Sequence, residues 1–89
     1  MRQIIVAARL EGWRVYHTFD SRHSEPGFPD LTMTKDGRLV FAELKVAGGR
    51  LSAEQKVWGG ALQACFGCEY YAWYPSDWPL IVRVLKGLS

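Results

Sequence analysis

Apolar residues recur at Ile4, Ile5, Ala8 and Leu10 with no Gly or Pro between them, and this spacing predicts a helix over residues 2–11. Gly12 is its expected C-terminal stop. The chain then turns to aromatic and β-branched residues, Trp13, Val15, Tyr16, Thr18 and Phe19, which predicts a strand. Residues 20–27 are polar and end in Pro26-Gly27, the composition of a loop. A second strand is expected over 28–34 and a third over 39–46. They are joined by Lys35-Asp36-Gly37-Arg38, in which Asp-Gly is a strong hairpin signal. Side chains alternate along a strand, so Val40, Ala42 and Leu44 share one face of the third, and Phe41, Glu43 and Lys45 the other.

Beyond the Gly-rich link 47–51, Ser52 and Gln55 match a capping box of the S-x-x-Q type. They predict a helix over 53–66 whose apolar stripe is Val57, Trp58, Ala61, Leu62 and Cys65. Gly59-Gly60 weakens that helix by about 1 kcal/mol per glycine, which suggests close packing against a sheet. Gly67 stops it. A fourth strand over 69–74 ends at Pro75, and a last helix is expected from Asp77 to Lys86. The order is helix, three strands, helix, strand, helix, with no repeat, low-complexity tract or linker. It reads as one α/β domain spanning 1–89.

Composition narrows the class of protein. With 48% hydrophobic and 22% charged residues, a disordered chain is excluded. A chain of 89 residues builds only a small core. Its aromatic content of 13% helps fill that core, with Trp13, Phe28, Phe41, Trp58 and Tyr71 expected inside and Trp73, Tyr74 and Trp78 left for bases or an interface. A net charge of +2 permits a nucleic-acid partner without requiring one. No apolar run approaches the roughly 20 residues of a membrane span, and no signal-peptide pattern follows Arg2. The expectation is a cytoplasmic protein of bacterial or phage origin, with no membrane partner. Cys65 and Cys68 form a C-x-x-C after a helix with no second pair to complete a zinc site, so they read as reduced thiols.

The chemistry is concentrated in Asp30, Glu43 and Lys45, with twelve residues between the two acids. A short hairpin brings neighbouring strands together, so two carboxylates and a lysine fall on one face. Two carboxylates hold a divalent metal, and a lysine beside them orients or activates water, a minimal kit for phosphodiester hydrolysis. Taken singly, Asp30 reads as a surface turn residue, Glu43 with Lys45 as a solvated strand face, and Gln55 as a capping residue. The joint pattern favours catalysis.

The runs Gly27-Phe28-Pro29-Asp30-Leu31, Ala42-Glu43-Leu44-Lys45 and Gly49-Arg50-Leu51-Ser52-Ala53-Glu54-Gln55, with Trp58, resemble the VRR-NUC family of the PD-(D/E)xK nuclease superfamily over nearly the whole chain. The resemblance implies a restriction-endonuclease-like fold with a central mixed four-stranded sheet flanked by helices. It also implies a metal-dependent DNA nuclease acting on branched or flapped DNA, such as a Holliday junction, as a homodimer. Asp30, Glu43 and the Leu44 carbonyl would ligate Mg²⁺ or Mn²⁺, which prefer hard oxygen donors. Lys45 would position or deprotonate the attacking water, and Gln55 would orient Lys45 or a water. Arg22, Arg50, His17 and Ser24 are the candidates for DNA phosphate, the arginines foremost because guanidinium matches phosphate bidentately. Lys35, Arg38, Lys56, Arg83 and Lys86 read as solubilising charges that extend a positive surface. Family members often carry a further glutamate on the first helix. Here that helix has only Glu11 at its end, and the matching position is expected at or before Met1. The alternative is a non-catalytic DNA-binding module of the same fold.

Overall fold

Alternation and glycine placement sort this chain into a sheet with helices on both sides. The structure, a computed structural model, describes residues 2–18 and 24–88. The elements are α1 (Arg2–Leu10), β1 (Arg14–His17), β2 (Leu31–Lys35), β3 (Arg38–Leu44), α2 (Ala53–Gln63), β4 (Glu69–Trp73), a 3₁₀ turn (Pro75–Asp77) and α3 (Trp78–Lys86). The sheet order is β1-β2-β3-β4, with β4 parallel to β3 and the other pairs antiparallel. The β2–β3 hairpin turns on Asp36 and Gly37, both at positive φ, the backbone that Asp-Gly accepts.

One sheet face carries Leu31, Met33, Val40, Ala42 and Trp73, which close against Ala8 of α1, Ile81 and Leu85 of α3, and Trp13. The Trp13 indole donates to the Leu85 carbonyl at 2.9 Å. Arg38 chelates Glu69 at 2.8 and 2.7 Å, donates to the Val84 carbonyl and lies 4.9 Å from the centre of the Trp13 ring. It is therefore a clasp between sheet and α3 rather than part of a positive DNA-facing surface. Trp73 is likewise not free for a partner. It is buried and stacked on Tyr71 at 5.3 Å.

The other face receives α2. Phe28 meets Phe41 and Trp58 edge-on at 5.9 and 5.1 Å. The inward side of α2 runs through Gln55, Trp58, Gly59 and Leu62, while Val57, Ala61 and Cys65 of the expected stripe are exposed. The reason is Gly59. A Cβ there would lie 2.8–2.9 Å from Cε2, Cζ and the hydroxyl of Tyr70, so the helix rests directly on that ring. Gly60, one residue on, faces open space. Alanine at these neighbours should therefore act in opposite directions. Gly60→Ala raises stability by about 0.5–1 kcal/mol through helix propensity, whereas Gly59→Ala lowers it by about 1–3 kcal/mol through overpacking. Thermal melts of the two variants check the pair, and equal shifts would mean that α2 does not rest on Tyr70.

Several boundaries are shorter than expected. The strand after the loop begins at Leu31, not at residue 28, because Phe28 packs under α2 and Pro29 is buried without a ladder N–H. The last helix starts at Trp78, since the Asp77 carboxylate accepts from the Tyr74 N–H at 2.9 Å and closes the 3₁₀ turn first. Cys65 and Cys68 are free thiols just past α2. Burial and the neighbouring Cys65 push the Cys68 thiol up, away from the low range of redox-active cysteines. No helix among the described residues is long and apolar enough to cross a membrane.

Candidate metal and phosphodiester site

The site lies where β2 begins and β3 ends. β2 and β3 pair Leu31 with Ala42, so one further step along the register sets Asp30 across from Glu43. The Asp30 backbone is tied down by the Thr18 N–H, which donates to its carbonyl at 2.9 Å, while the Thr18 hydroxyl donates to the Pro29 carbonyl. Its carboxylate accepts the Leu44 N–H at 2.8 Å. Asp30 is thus a fixed acceptor at the strand start and not a solvated turn residue.

Glu43 is buried, with 3% of its surface exposed. Burial, then hydrogen bonding and charge from Asp30, push its carboxyl up to about 8, partly offset by Lys45. Its Oε2 has no hydrogen-bond partner among the described residues, and neither has the buried Tyr70 hydroxyl. Lys45 follows on the same face. Its backbone N–H extends the parallel ladder to the Trp73 carbonyl at 2.8 Å, and its ammonium donates to Gln55 Oε1 at 3.3 Å. Gln55 Oε1 also accepts the Ser52 N–H at 2.8 Å, and the Ser52 hydroxyl accepts the Gln55 N–H. One side chain therefore closes the capping box and holds the lysine.

The remaining candidates separate. Arg50 is exposed on the link before α2, beside Gly49, whose carbonyl accepts the Tyr74 hydroxyl at 2.8 Å. Ser24 is half-buried in the loop before Gly27. Arg22 lies outside the described residues. His17 pairs with Leu31, which places it on the sheet face opposite Asp30 and Glu43, in a hollow with Arg2, Ile5, Val6 and Arg9. Glu11 also lies away from the site, because it pairs with Lys86 at 2.8 Å. The first helix instead approaches through Gln3, which lines a cavity of about 220 Å³ with Leu44, Lys45, Tyr74 and Trp78. A polar residue early in a helix carried no signal toward this end of the sheet. Gly27 was legible only as part of a motif. A Cβ on it would lie 2.4–2.7 Å from the Glu54 and Gln55 backbone.

Among the described residues no group of three or more His, Cys, Asp or Glu gathers as a metal cluster. The donor set still fits a hard divalent ion. Burial and the neighbouring Asp30 push the Glu43 carboxyl up, a strain that a bound cation would relieve, and Mg²⁺ commonly takes one or two carboxylates with water and substrate phosphate completing its shell.

No family model and no curated protein matches the sequence. Among solved structures the chain is similar to Hjc, a Holliday junction resolvase from the archaeal hyperthermophile Archaeoglobus fulgidus, with a TM-score of 0.60 and 20% identity. The match covers 83% of this chain and 64% of that one. At this identity the likeness is one of fold. The chain is a restriction-endonuclease-like α/β domain with a mixed four-stranded sheet flanked by helices.

Proposed function

We propose that this chain is a divalent-metal-dependent endodeoxyribonuclease of the VRR-NUC type, acting on branched or flapped DNA such as a four-way junction. The observation that carries the reading is the juxtaposition of Asp30 and the buried Glu43 with a lysine held by Gln55. The fold of an archaeal junction resolvase supports it. Asp30 and Glu43, with the Leu44 carbonyl between Glu43 and Lys45, would hold Mg²⁺ or Mn²⁺. Such an ion supplies Lewis acidity and lowers the pKa of a bound water.

The chain's own residues do the rest. The Leu44 N–H and the Thr18 contacts fix Asp30, so the carboxylate needs no reorganisation on binding. Lys45 spends one of its three donors on Gln55 and keeps two for the attacking water and a phosphate oxygen, where negative charge grows. Arg50 and Ser24 would supply phosphate contacts, and Arg22, outside the described residues, is a further candidate from sequence. The working form is a homodimer, since two symmetric cuts need two sites. Exposed Val6 and Leu10 on α1 and the part-exposed Trp78 on α3 line an apolar hollow suited to a second copy.

Lys45→Ala is expected to cut Mn²⁺-supported cleavage of a four-way junction by about 10²–10³-fold with little change in junction binding. Gel assays of parent and variant on junction and plain duplex check this, and equal cleavage by both proteins removes Lys45 from the chemistry. Junction binding that survives EDTA, with no cleavage in any metal, would instead support the non-catalytic binding module.

A further inference from the structure

Two buried oxygens on the α2 side of the sheet lack partners among the described residues: Glu43 Oε2 and the Tyr70 hydroxyl. They belong to adjacent parallel strands. Phe41 pairs with Tyr70 and Glu43 with Ala72, so Glu43 and Tyr70 are diagonal neighbours on one face. With strands about 4.8 Å apart and two residues of rise between them, their Cα atoms stand roughly 8 Å apart, and the two side chains make no direct hydrogen bond. The outer end of the Tyr70 phenol is pinned, because the atoms nearest a Cβ at Gly59 are Cε2, Cζ and the hydroxyl of this ring. A phenylalanine would fill the same space without desolvating a hydroxyl. A tyrosine here therefore points to a polar partner, and the buried side-chain acceptor left open among the described residues is Glu43 Oε2.

We propose that Tyr70 is a positioning residue of the site: its hydroxyl donates through one bridging water to Glu43 Oε2 and orients the carboxylate toward Asp30. The role is that of an outer-sphere partner, which fixes a ligand without touching the ion. The inference rests on the reading of Asp30 and Glu43 as a divalent-cation site. It adds a residue to that reading which no catalytic motif marks.

The test is Tyr70→Phe with Mn²⁺ alone as probe, followed by electron paramagnetic resonance and paired with a melt of the metal-free protein. The expected result is an unchanged or higher metal-free melting temperature, an Mn²⁺ dissociation constant raised about tenfold, and an altered zero-field splitting of the bound ion. Equal affinity and an identical spectrum in parent and variant would overturn the role of Tyr70 while leaving the metal site standing. A variant that melts well below the parent would show a packing role and would also overturn it. If the parent itself takes up no Mn²⁺, the cation site and the role of Tyr70 fall together.

Discussion

Replacing Glu43 with Gln is expected to stabilise the metal-free protein above pH 7 while abolishing Mn²⁺ binding and cleavage. The reason is the buried carboxyl, held near pKa 8 by desolvation and by Asp30. Its unfolded value is near 4.5, so the native state binds a proton that the unfolded chain releases between these limits. The contribution of this group to stability is greatest in acid, declines as pH rises from about 4.5, and carries the full penalty above about 8. At pH 7 the penalty amounts to at most about 3 kcal/mol. Lys45 offsets part of it. Glutamine keeps the shape and removes the ionisation. The variant should melt up to about 12–24 °C above the parent at pH 8, with little difference at pH 5, where the parent already carries its proton. Melts at the two pH values check the sign, and a variant less stable than the parent at pH 8 would contradict it. Cleavage should fall by at least about 10³-fold, as expected when a site made to stabilise developing charge is dismantled.

Gly27→Ala carries the largest expected loss of stability. Gly27 sits at φ +85°, where an L side chain is strained, and its missing Cβ leaves room for α2. The atoms in the way are the Glu54 carbonyl and the Gln55 N–H, backbone of the first helical turn, with no flexible side chain to yield. Either the loop before Asp30 or the start of α2 must move. The expected cost is about 3–4 kcal/mol, combining backbone strain with overpacking, or a fall of roughly 12–30 °C in melting temperature. The displaced turn contains Ser52 and Gln55, so the hold on Lys45 loosens with it. Differential scanning calorimetry measures the loss, and a melting temperature within a few degrees of the parent would show that the loop and helix do not depend on this contact.

How far the sequence reveals this arrangement depends on what kind of signal a residue carries. Asp36-Gly37 and Ser52-x-x-Gln55 act through local backbone chemistry, and the hairpin and the capped helix form where they predict. The alternation in β3 likewise separates Val40 and Ala42 from Phe41, Glu43 and Lys45 as the packing does. The inward face of α2 was misread because hydrophobicity stood in for contact. Val57 is apolar and 72% exposed, whereas Gly59 is buried because its lack of a side chain is what admits Tyr70. The clustering of Trp73, Tyr74 and Trp78 in sequence suggests bases or an interface, yet strand alternation turns Trp73 inward, stacked on Tyr71 and packed with α3. Arg38 read as a surface charge because Glu69, Val84 and Trp13 are distant in the chain. The catalytic candidates were visible by type and spacing. The burial of Glu43, the approach of Gln3 and the open hydroxyl of Tyr70 are products of tertiary packing.

On the proposed reading, Glu43 gives up its proton when a divalent cation binds between it and Asp30. Calorimetric titration of the parent protein with Mn²⁺ near pH 7, in two buffers of different ionisation enthalpy, measures ion uptake and proton release together. The account predicts saturable binding of one ion per chain with release of close to one proton, both lost in Glu43→Gln. Absence of saturable binding, or binding that releases no proton and survives that substitution, would contradict it.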